Sequence, residues 1–368
     1  MLRIAFDIHS IGQNATGNET YAEGLLHAFQ AARPADCEIH FYHTGARFAD
    51  VDTEQFHRLR PAWPYVRIPL VTPFRLLLDR MDMAHFQYFA PPLSPCPTVL
   101  TVHDLSFERH PEFFDPVMTI RMRTIMPYMV RRARRLIAVS EATRADLVEL
   151  YGVAPERVSV IHNGVSTEFT PMADTVRIAR ALGDVGIAGP YIMCVGNLGV
   201  RKNQRRLVRA YARLLREHDP CHDLVLVGKP SFGADEVMRE IERLGLRGRV
   251  HVLGFVTREQ LLCLYNQAAF TVYPSLFEGF GLPLVESMAC GTPVITSTLS
   301  CMPEIAGGAA LLVDPLDESA LCTAMAHLLG SEEERRRLRG LGLARSRQFS
   351  WAASAALTLE VYRKAALQ

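Results

Sequence analysis

Short apolar runs rich in β-branched residues alternate along this chain with longer segments whose apolar positions recur every three or four residues. That alternation predicts an α/β protein with parallel sheets, each strand followed by a helix that covers it. In the first half RIAFDI, EIHFYH, TVLTVHD, LIAVS and VSVIHNGV read as strands; in the second, YIMCVGN, DLVLVGK, VHVLGF, FTVYPS, PVITS and ALLVD do. Between YIMCVGN and DLVLVGK, Leu207, Ala210, Tyr211, Leu214 and Leu215 fall on one face of a helix with arginines on the other. The series breaks at Ser166–Thr175, a polar segment with a proline and no periodicity. The pattern therefore predicts two doubly wound domains, residues 1–170 and 176–349, with a last helix over 350–368 that is free to pack back on the first. Open α/β sheets bind ligands beyond the carboxyl ends of their strands. Two of them facing across a cleft would pool those ends.

Composition excludes more than it identifies. The 368 residues suit about two domains at roughly 150 residues each. A formal charge of +1 gives no general pull toward nucleic acid. The opening MLRIAFDIHSIG has no basic segment followed by a long apolar core, and no apolar run approaches the ~20 residues that span a bilayer. The eight cysteines are scattered, several within apolar runs, and form no C-x-x-C pair, which suits reduced thiols. N-x-T triplets at Asn14 and Asn18 carry little weight without a secretory signal. A cytoplasmic protein is expected, with the inner membrane face open to it.

The most informative stretch is FEGFGLPLVESMACGTPV, Phe277 to Val294. It follows a predicted strand, turns through Gly279 and Gly281, and enters a helix with Pro283 in its first turn and Gly291 beyond its end. Such glycines let backbone approach a ligand, and a helix N-terminus offers N–H groups to an anion. Carboxylates do not bind phosphate, but they accept hydrogen bonds from hydroxyls. Glu278 and Glu286 on either side of a phosphate cradle therefore suit a ligand with phosphates in the middle and hydroxylated rings at both ends, a sugar nucleotide. On spacing alone, a surface loop with two solvated glutamates fits as well. The stretch lacks the third glycine of a dinucleotide fingerprint.

EGFGLPLVE followed by SMACGTPVI resembles the Glu-x7-Glu motif of the family 4 retaining glycosyltransferases, which have the two-domain GT-B fold. The likeness extends in order through TVHDLSFERHPEFF, AVSEATRADL, VSVIHNGV, VGNLGVRKNQRRLVRAY, LVLVGK, VHVLGFV and PEIAGGAALLVDP. The resemblance implies that Glu286 binds ribose hydroxyls and that Glu278 faces the donor sugar. Backbone N–H groups from Phe280, Gly281 and Leu282 would lie near the sugar and diphosphate, and Lys202 would neutralise the diphosphate. Where the family often has an arginine, five positions before the lysine, this chain has Asn197; the adjacent Arg201 is expected to compensate. His103, at the end of TVLTVHD, matches the family's histidine near the donor sugar, and Asp104 is placed to orient its loop. The glycine-bearing loop after the first strand, with Gly12 and Gly17, would cover the diphosphate beside the acceptor, with Glu19 as an acceptor contact or an exposed helix-start glutamate. Ser166 stands where the family commonly has aspartate, in a segment already entering the linker.

Breaking a sugar–phosphate bond leaves a diphosphate of growing negative charge, which preorganised cations stabilise. No convincing metal site is visible to assist them. Asp50-Val51-Asp52 is the only D-x-D, and His40 and His43 sit at odd spacing on one strand. Metal-independent transfer, with no cofactor, is expected. The implied reaction is transfer of a sugar to a glycan or lipid-linked hydroxyl, with GDP-mannose the preferred donor by similarity to bacterial polysaccharide mannosyltransferases, and UDP-sugars the alternative. A glycoside hydrolase using the two glutamates, and a non-catalytic sugar-nucleotide sensor, are the rival classes. SEEERRRLRG reads as a capped, solvated helix end. The basic amphipathic run 121–135 leaves two readings open, a surface helix or peripheral docking on anionic lipid.

Overall fold

A computed structural model of the chain describes residues 1–12, 17–45 and 54–367. It forms two compact units, Met1–Arg109 with Val117–Gly164 and Phe349–Gln368, and His110–Pro116 with Val165–Gln348.

The first unit is built on seven parallel strands: β1 (Leu2–Asp7), β2 (Cys37–His43), β3 (Phe56–Arg58), β4 (Met83–Gln87), β5 (Thr98–Val102), β6 (Arg135–Ala138) and β7 (Val158–Val160). Their order is β3-β2-β1-β4-β5-β6-β7, so the winding direction reverses between β1 and β4. Helices cover the sheet, and β4 and β5 are buried at every position, as central parallel strands are. Two of these strands do not stand out in the apolar pattern. β3 is only three residues long, and β4 reads MAHFQ, with polar residues at its third and fifth positions. The polarity of β4 has partners: His85 meets Tyr362 Oη at 2.6 Å and Thr101 Oγ1 at 2.7 Å. The VSVIHNGV strand is shorter than its apolar run, ending at Val160.

The last helix, Trp351–Ala366, packs against the Gly17–Ala32 helix of the same unit. Tyr362 and Phe29 meet there, and a side chain at Gly24 would collide with the Trp351 ring, so only glycine fits at that crossing. Ser354 donates to the His162 carbonyl at 2.7 Å, and Arg363 pairs with Asp36.

The second unit has six parallel strands: β8 (Tyr191–Val195), β9 (Asp223–Val227), β10 (Val250–Gly254), β11 (Thr271–Tyr273), β12 (Val294–Ser297) and β13 (Leu311–Val313). All six fall within the predicted runs. Their order, β10-β9-β8-β11-β12-β13, reverses between β8 and β11. The helix Gln204–His218 buries Leu207, Ala210, Tyr211 and Leu214, while Arg205 and Arg209 pair outward with Glu236 and Glu240. Ser331 caps Glu332–Ser346 by accepting from the Glu334 N–H, as the charge pattern there predicts. Among the described residues no helix is long and apolar enough to cross a membrane. All eight cysteines are free thiols.

Candidate functional site

The loops after β8 and β11 leave the second sheet on either side of its reversal, where a doubly wound fold opens a crevice. After β8 the chain turns at Gly196, whose φ of +145° lies outside the ordinary range of side-chain-bearing residues. It then forms a single 3₁₀ turn, Val200–Lys202. Asn203 follows at φ +60°, and its amide donates to the Pro274 carbonyl at 3.1 Å and the Pro315 carbonyl at 2.7 Å. The Leu276 N–H donates to the Arg201 carbonyl at 2.9 Å. The two loops are thus stitched together through their backbones.

Across that seam the side chains form an ionic clamp. Arg201 Nη1 donates to Glu278 Oε2 at 2.7 Å and to the Phe277 carbonyl at 3.0 Å. Lys202 Nζ lies 2.6 Å from Glu278 Oε1 while donating to the Tyr273 hydroxyl at the end of β11. Ser300 Oγ donates to the Glu278 carbonyl at 2.5 Å and accepts its N–H at 3.3 Å, and the Cys301 thiol reaches the same carbonyl at 3.1 Å. Glu278 is therefore fixed by both its side chain and its backbone.

Burial opposes the charge on Glu278, but Arg201 and then Lys202 outweigh it and hold the carboxyl well below its usual range. Burial also draws Lys202 down, against the pull of Glu278 upward. A lone ion pair would raise the lysine as it lowered the glutamate. Burial is the main reason the lysine falls instead, and Arg201 adds to it, because it favours the carboxylate and repels the ammonium. Both carboxylate oxygens of Glu278 are thus engaged, Oε2 by Arg201 and Oε1 by Lys202.

Gly281 sits at φ +93° directly before the helix Leu282–Ala289, and a side chain there would meet Met302 Cε at 2.6 Å. Pro283 lies in the first turn, and Gly291 follows the helix at φ +74°. Phe280 is buried beneath this turn. Glu286, on the second turn, is half-buried and accepts from the Tyr265 hydroxyl at 3.0 Å. Burial pushes its carboxyl up to about 7, against the Tyr265 hydrogen bond and the more distant Arg258 and Lys202. The two glutamates of the motif thus have opposite character, one held as an anion and the other ready to take a proton near neutrality.

In the first unit, His103 directly follows β5. It is buried, with Nε2 at 2.8 Å from the Gln87 amide oxygen and the Tyr21 ring edge-on at 4.8 Å. Burial lowers it to about 4, so the ring is neutral at physiological pH. With the amide oxygen as acceptor, Nε2 carries the proton and Nδ1 presents the lone pair. Asp104 accepts from the Ser106 N–H at 3.0 Å and its hydroxyl at 2.6 Å, which anchors the following turn. In the loop after β1, Gly12 takes φ +83° and its N–H donates to Glu19 Oε1 at 2.6 Å. Glu19 therefore closes the loop onto the first turn of the helix that Gly17 begins.

Among the described residues one group could gather metal ligands, Glu217, His218 and Cys322. It sits at the far end of the Gln204–His218 helix, about 20 Å from Lys202 by helix rise, and Arg213 already pairs with Glu217. His40 meets His57 rather than His43. Asp50, Asp52 and Asn14 lie outside the described residues.

Residues 15–169 match the family described as Glycosyltransferase Family 4, and residues 189–331 the family described as Glycosyl transferases group 1. Escherichia coli O-antigen chain mannosyltransferase B is 28% identical over 98% of this chain and 100% of its own length. The chain is a family 4 glycosyltransferase. The MMP alpha-(1->4)-mannosyltransferase of Mycolicibacterium hassiacum is 35% identical over 64% of the chain, which spans 56% of that protein. Anabaena HepE, solved in complex with UDP and glucose, superposes with a TM-score of 0.77 at 19% identity, covering 99% of this chain and 100% of its own. The enzyme has the GT-B fold, with two doubly wound Rossmann-like domains, and depends on a nucleotide sugar.

Several supports of this glycosyltransferase's site carry no motif. Tyr273 ends a strand that the pattern does identify, and its position at the carboxyl end was the available signal. Gln87 belongs to β4, which the apolar pattern misses. Tyr265 reads as an ordinary core position of its helix, and Ser300 and Cys301 as loop. Their roles depend on partners 16 to 71 residues away.

Proposed function

We propose that this enzyme transfers mannose from GDP-mannose, with retention of configuration, to a hydroxyl of a growing or lipid-linked glycan in polysaccharide or lipopolysaccharide synthesis. The observation that carries the reading is the Arg201–Lys202–Glu278 clamp at the sheet reversal, beside a glycine turn that opens a helix. The mannosyltransferase relatives support the sugar. The UDP complexes of a structural neighbour keep UDP-sugars as the alternative donor.

Without donor, Glu278 neutralises two cations. A diphosphate supplies them with a second anion, and Glu278 Oε1 can then accept from a sugar hydroxyl. As the bond from the anomeric carbon to phosphate breaks, charge grows on the leaving oxygen. Arg201, Lys202 and the amides of Phe280, Gly281 and Leu282 stabilise it. The acceptor oxygen bonds to the same face of the anomeric carbon, and its proton passes to the departing phosphate. Glu286 holds the ribose hydroxyls and His103 contacts the donor sugar. Gly12, Gly17 and Glu19 shape the loop beside the acceptor.

The opposed proton affinities of Glu278 and Glu286 also suit the acid–base pair of a hydrolase. Against that reading, Glu278 is committed to two cations, which deprives it of nucleophilic or basic character. A thermal-shift panel of GDP, UDP, ADP and their sugars tests the donor, since a ligand of the folded state raises Tm. GDP-mannose is expected to give the largest rise and an α-linked product by NMR. A larger rise with UDP-sugars would replace the donor, a β-linked product would remove retention, and sugar release from oligosaccharide without nucleotide would favour the hydrolase.

A further inference from the structure

The first unit carries an apolar surface that neither its core nor the transfer reaction uses. Between Arg60 and Asp79 the chain forms three short helical turns, Pro64–Val66, Arg67–Val71 and Thr72–Leu78. Their inner positions, Arg67, Thr72 and Leu76, are buried. Their outer positions are nonetheless apolar: Trp63, Tyr65, Leu70, Phe74, Leu77 and Leu78 are each 58–65% exposed. Six large side chains at that exposure leave roughly 600 Å² of apolar surface, at the upper end of what a soluble monomer shows.

A second exposed set adjoins it. The helix Pro116–Arg132 turns Met122, Met126, Met129 and Val130 inward, but Val117, Met118, Ile120 and Tyr128 outward. The two segments, some 50 residues apart in the chain, meet through Arg121, whose guanidinium lies 5.4 Å from the Tyr65 ring centroid and 5.5 Å from that of Phe89. The Trp63 and Tyr65 rings touch at 5.4 Å, and Arg132 lies over Tyr128 at 5.7 Å.

Charge identifies the occupant. Residues 60–78 and 116–135 contain no aspartate or glutamate and nine arginines. Of these, Arg60, Arg121, Arg131 and Arg132 are exposed, whereas Arg75 pairs with Asp79 and Arg123 with Glu108. A second copy of the chain docked here would set arginines against arginines. An anionic lipid surface offers phosphates to the guanidiniums and an acyl boundary to the apolar side chains, and tryptophan and tyrosine are the residues that favour that boundary.

We propose that the surface formed by residues 63–78 and the exposed face of 117–132 docks the enzyme on an anionic phospholipid bilayer, inserting side chains without spanning it. The inference goes beyond the transfer reaction and stands whatever sugar is carried.

Co-sedimentation of the full chain with phosphatidylcholine vesicles, with and without phosphatidylglycerol, tests it. Wild type is expected to pellet with the anionic vesicles and to be released by salt. Leu70→Ser/Phe74→Ser/Leu77→Ser, all at exposed positions, is expected to lose binding by at least about tenfold while keeping its Tm and its donor hydrolysis. Arg131→Glu/Arg132→Glu should weaken binding to anionic vesicles alone. Equal pelleting of wild type and the triple variant, or no preference for anionic lipid, would overturn the proposal. So would a wild-type dimer in sedimentation velocity that the triple variant abolishes, because it would assign the surface to a second copy.

Discussion

Replacing Glu286 with glutamine should stabilise this enzyme at alkaline pH and leave it nearly unchanged at pH 5. The half-buried carboxyl is raised from the 4.5 of a free glutamate to about 7, chiefly by burial. A raised carboxyl contributes its full stability below its unfolded pKa. That contribution is lost as pH climbs through the folded value, because the buried site must then hold a charge. The interval from 4.5 to about 7, at about 1.4 kcal/mol per pH unit, sets an upper bound of about 3.5 kcal/mol. Residual contact with water screens part of this, and about 1–2 kcal/mol is the expected cost at pH 8.5. For a unit of this size, that corresponds to a Tm roughly 3–6 °C higher for Glu286→Gln at pH 8.5. Glutamine keeps an oxygen for the Tyr265 hydroxyl, so the comparison isolates the charge. Scanning calorimetry at pH 5 and pH 8.5 reads the difference. A Tm offset independent of pH, or a less stable glutamine variant at pH 8.5, would refute the reasoning. On the role proposed for Glu286 the same carboxyl should couple to ligand: ribose hydroxyls would donate to the anion, so nucleotide binding at pH 7 should release about half a proton. Calorimetric binding enthalpies that do not vary with buffer ionisation enthalpy would contradict that coupling.

Lys202→Met should lower kcat by about 100- to 1,000-fold, the scale of a lost electrostatic contact to a developing charge; single-turnover kinetics with saturating donor would detect normal chemistry and so reject the role. Tyr265→Phe keeps the ring against Phe169, 5.9 Å away, but removes the donor to Glu286. It should weaken nucleotide binding by about 1–2 kcal/mol with little loss of kcat, and should move the pH midpoint of binding upward; an unshifted midpoint would make the tyrosine purely structural. Glu278 is lowered to about 2 by its cations, so the stability of the clamp is present above pH 4.5 and disappears as pH falls toward 2. Acid unfolding followed by circular dichroism should therefore be less steep below pH 4.5 in Glu278→Gln, and an identical profile would dissolve the clamp's contribution.

The second sheet was legible because its strands are mainly apolar. YIMCV, DLVLV and TVY read as buried parallel strands with almost no polar interruption. The glycine turn was legible for a different reason: Gly281 and Gly291 take positive φ, a backbone that glycine adopts without steric cost. β4 was not legible, since His85 and Gln87 break its apolar run. Those two residues are polar because they have work beyond packing, His85 between Tyr362 and Thr101, Gln87 on His103. A pattern that equates strands with apolarity fails where a strand carries polar contacts of its own.

Gln87 and Tyr273 point to a more useful rule. Each is the last residue of its strand, and each holds a candidate site residue of its own unit, His103 and Lys202 respectively. β4 and β11 occupy equivalent places in the two sheets, each next to the strand at which the winding reverses. At such a reversal the connections on either side run apart, so a crevice opens beside the ends of these strands. Both side chains are nevertheless buried, so each polar group there is held by its contact with a candidate site residue. Tyr265 escapes the rule, because it reaches Glu286 from the last turn of a helix, and only the packing of that helix against Leu282–Ala289 brings the hydroxyl to the carboxylate. The end of β11 could be found from local pattern, whereas the end of β4 could not, because its own polar residues hide the strand. Contacts between helix flanks require the three-dimensional register.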